Sequence, residues 1–126
     1  MPRILIADDE DSMRSLVARA IAMDGHQTVT ASDGAEALEI ITREAGAFDL
    51  LLTDIKMPIM DGIALALAVR RDFPAIPILL MTGFADQRER ASGLDAIVND
   101  VITKPFSVAD IRAAAARALA AGPGPQ

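Results

Sequence analysis

The sequence contains no cysteine, no tryptophan and no tyrosine. Without cysteine there is no disulfide framework and no thiolate chemistry, a composition that fits a cytoplasmic protein without proving it. No apolar run approaches the roughly 20 residues that a membrane-spanning helix needs. The first residues carry one Arg and a strand-length apolar run, with no signal-peptide pattern. Basic residues are outnumbered, 12 against 18 acidic, for a net charge of −6. That balance argues against direct nucleic-acid binding, where a basic face supplies much of the affinity. The sole histidine, His26, stands before a weak strand and is poorly placed for a phosphocarrier role.

What is present is apolar: 52% of 126 residues, enough for one domain with its own core. Strand-like and helix-like segments alternate along it. The first strand, Arg3-Ile4-Leu5-Ile6-Ala7, is followed by a helical stripe of Met13, Leu16, Val17, Ala20 and Ile21, running to about Asp24 before Gly25. Residues from His26 to Ala31 read as a short edge strand, and Ser32-Asp33-Gly34 opens a second helix with Ala37, Leu38 and Ile41 inward. Phe48 to Thr53 reads as a buried central strand. Asp61-Gly62 starts a third helix to about Arg71, with Ile63, Ala66, Leu67 and Val69 among its apolar positions. Ile78 to Met81 forms the fourth strand. The polar stretch from Phe84 to about Leu94 is expected to be a short or mobile helix. The last strand spans roughly Ile97 to Thr103, and Ser107 caps a closing helix with Val108, Ile111, Ala115, Ala118 and Leu119 inward. Residues 122–126, Gly-Pro-Gly-Pro-Gln, cannot continue a helix and are expected to form a disordered tail after a domain over 1–121.

Five βα units make an α/β, doubly wound (βα)5 fold with a five-stranded parallel sheet. In the flavodoxin-like order 2-1-3-4-5, the switch point falls between the first and third strands, which brings Asp8 and Asp9 beside Asp54. The residue constellation selects this order, since periodicity alone admits other doubly wound orders. Each strand end carries a chemical group: Asp8-Asp9, then Asp54, then Thr82, then Lys104. Three carboxylates at one crevice repel one another unless a cation or protons offset them. An all-oxygen setting suits Mg²⁺, with Asp9 and Asp54 as direct ligands, Asp8 direct or through water, and the backbone carbonyl of Lys56 completing the protein's share. Asp54, alone at its strand end, is the natural nucleophile for an aspartyl phosphate. Thr82 can hydrogen-bond one phosphoryl oxygen and Lys104 can pair with another. The Lys104-Pro105 bond is a candidate cis peptide that would aim Lys104 into the crevice. Plainer readings accompany these. Asp8, Asp9 and Glu10 suit a helix N-terminus, Asp61-Gly62 a loop and helix start, Met57 and Met60 packing, and Lys104 an ordinary solvated cation.

Taken together, these residues resemble the receiver domain of two-component response regulators, over residues 3 to about 120. Asp8-Asp9 is similar to the family's acidic metal pair, Asp54 to its phosphoacceptor, Thr82 to its switch hydroxyl, and Lys104-Pro105 to its Lys and cis proline. Asp54-Ile55-Lys56-Met57-Pro58-Ile59-Met60-Asp61-Gly62 resembles the family's most recognisable segment. The resemblance implies phosphoryl transfer, with Mg²⁺, from a sensor histidine kinase or a histidine phosphotransfer protein to Asp54. It implies a non-enzymatic switch that binds a downstream protein or relays the phosphoryl group, with no role for nucleic acid or membrane. With only a short tail after the domain, the chain resembles a stand-alone, chemotaxis-receiver-like regulator. Met81-Thr82-Gly83-Phe84-Ala85 and Val101 are also similar to single-domain receivers of alphaproteobacterial cell-cycle proteolysis. Val101 occupies the place where the family often has a rotating aromatic, so a switch here has to rely on Thr82 and on rearrangement of residues 83–95. Gly93-Leu94-Asp95 replaces the usual small-residue turn, and Lys56 and Phe84 flank the site. Two other functions compete. A phosphohydrolase of the haloacid dehalogenase type also uses an Asp nucleophile with Mg²⁺, but wants a second acid where Lys56 stands. A fold-only interaction domain needs none of the constellation.

Overall fold

The computed structural model describes residues 1–83, 93–94 and 97–122. The expected helix from Phe84 to about Leu94, the 83–95 rearrangement, the flanking Phe84 and most of the 122–126 tail therefore lie outside the described residues.

In chain order the elements are β1 (Arg3–Ala7), α1 (Asp11–Ala22), β2 (Gln27–Ala31), α2 (Gly34–Arg43), β3 (Leu50–Asp54), α3 (Gly62–Asp72), β4 (Ile78–Thr82), β5 (Asp100–Thr103) and α4 (Val108–Ala121). The strands form one sheet in the order β2-β1-β3-β4-β5, every pairing parallel. The doubly wound order inferred from the residue constellation is the order observed.

Alternation along each strand divides the core in two. Leu5, Leu51 and Leu80 meet Ala37 and Ile41 of α2 and Leu65, Ala66 and Val69 of α3. Ile4, Ile6, Leu50, Leu52 and Leu79 meet Val17 and Ile21 of α1 and Ile111, Ala115 and Ala118 of α4. Strands covered on both faces read as continuous apolar runs, and β3 and β4 are buried at every position.

Local chemistry sets the helix starts. Asp33 accepts from the Glu36 N–H at 2.8 Å and Asp61 from the Ala64 N–H at 2.9 Å. Ser107 and Asp110 cap α4 reciprocally. Of the apolar positions of α3, Leu67 is 47% exposed while Leu65 is buried. Two expectations need correction. β3 begins at Leu50 because Asp49 is tied crosswise to Arg3, its N–H donating to the Arg3 carbonyl and its side chain accepting from the Arg3 N–H. β5 begins only at Asp100, because the N–H groups of Ile97 and Val98 turn back to the Leu94 carbonyl.

Candidate functional site

The sheet register places the charged groups. Ala7 lies opposite Thr53, so the next residues, Asp8 and Asp54, emerge side by side at the carboxyl ends of β1 and β3. Asp54 lies opposite Met81, and Thr82 opposite Thr103, so Thr82 and Lys104 leave β4 and β5 close to the same level. The Lys104 N–H donates to the Thr82 carbonyl at 2.6 Å, joining those two strand ends.

Asp8, Asp9 and Asp54 each offer a carboxylate oxygen, and these atoms all lie within 4.8 Å of one another. Asp9 is exposed, while Asp8 is fully buried and Asp54 is 6% exposed. Lys104 reaches in from the side, with Nζ 3.2 Å from Asp54 Oδ1 and 3.6 Å from Asp8 Oδ2. The Lys104-Pro105 bond is cis. Burial raises the Asp54 carboxyl to about 6, with Asp8 adding to the rise and Lys104 opposing it. Asp8 is also raised, chiefly by burial, against the pull of the Glu10 N–H and of Lys104.

Glu10 occupies the N-cap position of α1, yet its side chain makes no capping bond. Asp8 Oδ1 accepts instead from the Glu10 N–H at 3.0 Å, which fixes one oxygen and leaves Oδ2 buried without a hydrogen bond among the described residues. A buried anionic oxygen with no donor is costly. An oxygen-only donor set around that atom fits a hard divalent cation such as Mg²⁺, and no thiolate or imidazole competes in the cluster.

The cluster opens into a crevice of about 690 Å³ lined by Asp9, Glu10, Met13, Asp54, Lys56, Gly83, Lys104 and Pro105. Lys56 therefore flanks the crevice. Thr82 is fully buried and lines no part of the crevice; its hydroxyl has no hydrogen-bond partner among the described residues. Val101 is half-buried on β5, opposite Leu80. His26 precedes β2 at the amino ends of the parallel strands, away from the carboxyl-end crevice.

Two supports were not visible in the sequence. Arg14 of α1 donates from Nη1 to the Asp8 carbonyl at 2.8 Å and also pairs with Asp11, pinning the turn that carries the acidic pair. Gly62 packs so closely under Asp54 that a Cβ there would stand 2.0 Å from the Asp54 carbonyl oxygen. Arg14 lies one helical turn from Asp11, a spacing that suggests only a surface ion pair. The glycine after Asp61 reads equally well as an ordinary helix start.

The model of the response regulator receiver domain family matches residues 4–116. A probable transcriptional regulator, ycf27, of Guillardia theta is 37% identical over 111 residues, covering 88% of this chain and 42% of its own length. The chain thus spans about half the length of the curated relatives it matches. The crystal structure of the NtrX receiver domain from Brucella abortus superposes with a TM-score of 0.84 at 33% identity, covering 93% of this chain and 98% of that one. TrrA from Thermotoga maritima, solved in complex with Mg²⁺ and BeF, gives a TM-score of 0.81 at 27% identity over 93% of this chain and 98% of that one.

Proposed function

The chain belongs to the response regulator receiver domain family, and from that premise we propose that it is a cytoplasmic phosphorylation-controlled switch. It takes a phosphoryl group onto Asp54 from a phosphohistidine on a sensor histidine kinase or histidine phosphotransfer protein. One observation carries this reading: among the described residues, three carboxylate oxygens converge within 4.8 Å while a single ammonium stands 3.2 Å from Asp54. A structural ion-pair network would balance those charges, and among the described residues this cluster leaves them in deficit.

Asp8, Asp9 and Asp54 would hold Mg²⁺, with the Lys56 carbonyl as the backbone ligand. When bound, the ion neutralises the carboxylates and offers a phosphoryl oxygen a Lewis-acid partner. Asp54 supplies the nucleophile. One of its carboxylate oxygens bonds to phosphorus as the phosphorus–nitrogen bond of the phosphohistidine breaks, the electron pair leaving on the imidazole. Lys104 turns from Asp54 to a phosphoryl oxygen as negative charge builds there. Thr82, whose buried hydroxyl has no partner among the described residues, moves to donate to a second phosphoryl oxygen. That movement is the switch, because Val101 has no ring to rotate. The outcome is altered binding of a downstream protein, or onward relay of the phosphoryl group.

Intact-protein mass spectrometry after incubation with acetyl phosphate and Mg²⁺ tests the reading. One phosphoryl addition is expected, absent with EDTA and absent in Asp54→Ala. No mass gain, together with no beryllofluoride binding, would leave a fold-only interaction domain. Turnover of a small phosphate ester would favour a phosphohydrolase.

A further inference from the structure

Gly34, the first residue of α2, is buried against the loop that follows the phosphoacceptor strand. Its N–H donates to the Met60 carbonyl at 3.0 Å. The first N–H groups of a helix have no partner within it, so α2 uses one of its free donors to hold the Asp54–Gly62 loop. The approach is close: a Cβ on Gly34 would stand 2.3 Å from the Met60 carbonyl oxygen and 2.9 Å from its carbonyl carbon. Gly34 is not among the positive-φ glycines. Its backbone therefore does not demand glycine, and by helix propensity alone alanine is the better residue there. The space taken by Met60 is the reason for glycine.

The loop so held is under tension. Ile59, next to Met60, has φ +70° and is 85% exposed. A β-branched residue in the left-handed region is a genuine outlier, kept only when its surroundings impose it. The far end is secured at Gly62, whose N–H donates to the Ile55 carbonyl at 2.8 Å. Between these two anchors run Ile55 to Met60, and Asp54 and Lys56 both line the crevice.

We propose that Gly34 is a positioning residue for the phosphoacceptor loop: by admitting the Met60 carbonyl to the first N–H of α2, it holds Asp54 and the Lys56 carbonyl where Mg²⁺ binds. The inference rests on the phosphoacceptor reading above. Gly34 touches neither metal nor phosphoryl group and acts through Met60. A methyl group at Gly34 pushes that carbonyl back, and supports of this kind typically change metal affinity by about tenfold or more.

The test is Gly34→Ala in the full chain, with Mg²⁺ affinity by calorimetric titration, acetyl phosphate labelling at saturating Mg²⁺, and a circular-dichroism melt. The clamp requires Mg²⁺ binding weaker by about tenfold and slower labelling in a variant that still melts cooperatively. A variant that binds Mg²⁺ and labels like the wild type overturns it, whether its melting temperature rises or falls. Should the variant not fold, amide exchange in the wild type decides. Mg²⁺ with beryllofluoride should slow exchange at Gly34 at least about tenfold more than at Ala37, whose N–H bonds within the helix start to Asp33. Equal slowing at both amides overturns the clamp. A wild type that binds neither Mg²⁺ nor beryllofluoride removes the phosphoacceptor reading and the clamp together, whereas normal wild-type binding beside an unaffected variant removes the clamp alone.

Discussion

β3 and β5 both end at the crevice, yet they are built in opposite ways. β3 is central and buried along its whole length, and it delivers an acid. β5 is an edge strand, has no fully buried residue, and precedes the lysine. Asp54 is thus carried on a strand inside the core, while the cation that offsets it is docked from the rim of the sheet. Charge that is expensive to bury is held where the fold is stiffest, and its counter-charge where adjustment is cheap. The proposed phosphoacceptor function would use that division, with Lys104 changing partner when a phosphoryl group arrives and Asp54 staying in place.

The largest effects should separate the two strands by stability. Leu51→Ala leaves a cavity in β3 and should cost roughly 2–5 kcal/mol. Ile102→Ala in β5 removes a half-buried side chain and should cost only about 1 kcal/mol. Chemical denaturation of both variants checks this, and equal losses would break the contrast.

Next comes the electrostatic load of the acids. Burial holds the Asp54 carboxyl at about 6 against an ordinary 3.8. Between those values the folded protein keeps a proton that the unfolded chain has released. The stability tied to Asp54 is therefore present below about pH 4, shrinks as pH rises, and is gone above about pH 6. Without Mg²⁺, Asp54→Asn should stabilise the protein at pH 7.5 by on the order of 3 kcal/mol and flatten the slope between those values. Mg²⁺ should raise the melting temperature of the wild type and leave that of Asp54→Asn almost unchanged. A wild type whose stability climbs across the same window without metal would contradict the burial argument.

Lys104→Met sharpens the comparison from the other side. Lys104 opposes the rise at Asp54, so its loss should move the pH-dependent decline of metal-free stability upward. The β-sheet signal should be unchanged, and labelling by acetyl phosphate should fall by about tenfold or more. A strongly altered circular-dichroism spectrum would mean that β5 is less separable from the core than its exposure indicates.

The smallest effect concerns the loop. Ile59→Gly or Ile59→Asn should relieve the left-handed strain and add about 1 kcal/mol, a few degrees in melting temperature. Unchanged melting in both would mean that the left-handed backbone at Ile59 costs the fold little.

Much of this architecture is legible before any coordinates. Continuous apolar runs ending at Asp8, Asp54 and Thr82 mark strands buried on both faces, and Asp33, Asp61 and Ser107 mark helix starts through their own cap chemistry. The residue pairing along the sheet is observed only in the structure. Positions where neighbours far along the chain compete for one space are not legible. Leu67 and Leu65 are equally apolar, and only the placement of α2 beside α3 decides which of them is buried. Thr82 reads as a hydroxyl at a strand end, but its complete burial depends on packing around β4. Nothing local relates Gly34 to Met60, or Arg14 to the Asp8 carbonyl.

The kind of fold and the candidate reactive groups can be read from the chain alone, because periodicity, caps and strand-terminal acids are properties of neighbouring residues. Tertiary structure alone decided the energetic state of those groups. Burial raises Asp54 to about 6, the edge strand brings Lys104 within 3.2 Å, and α2 closes on the loop at Gly34. Desolvation, Coulomb attraction and close packing depend on distances between segments remote in sequence, and those distances exist only once the sheet has assembled.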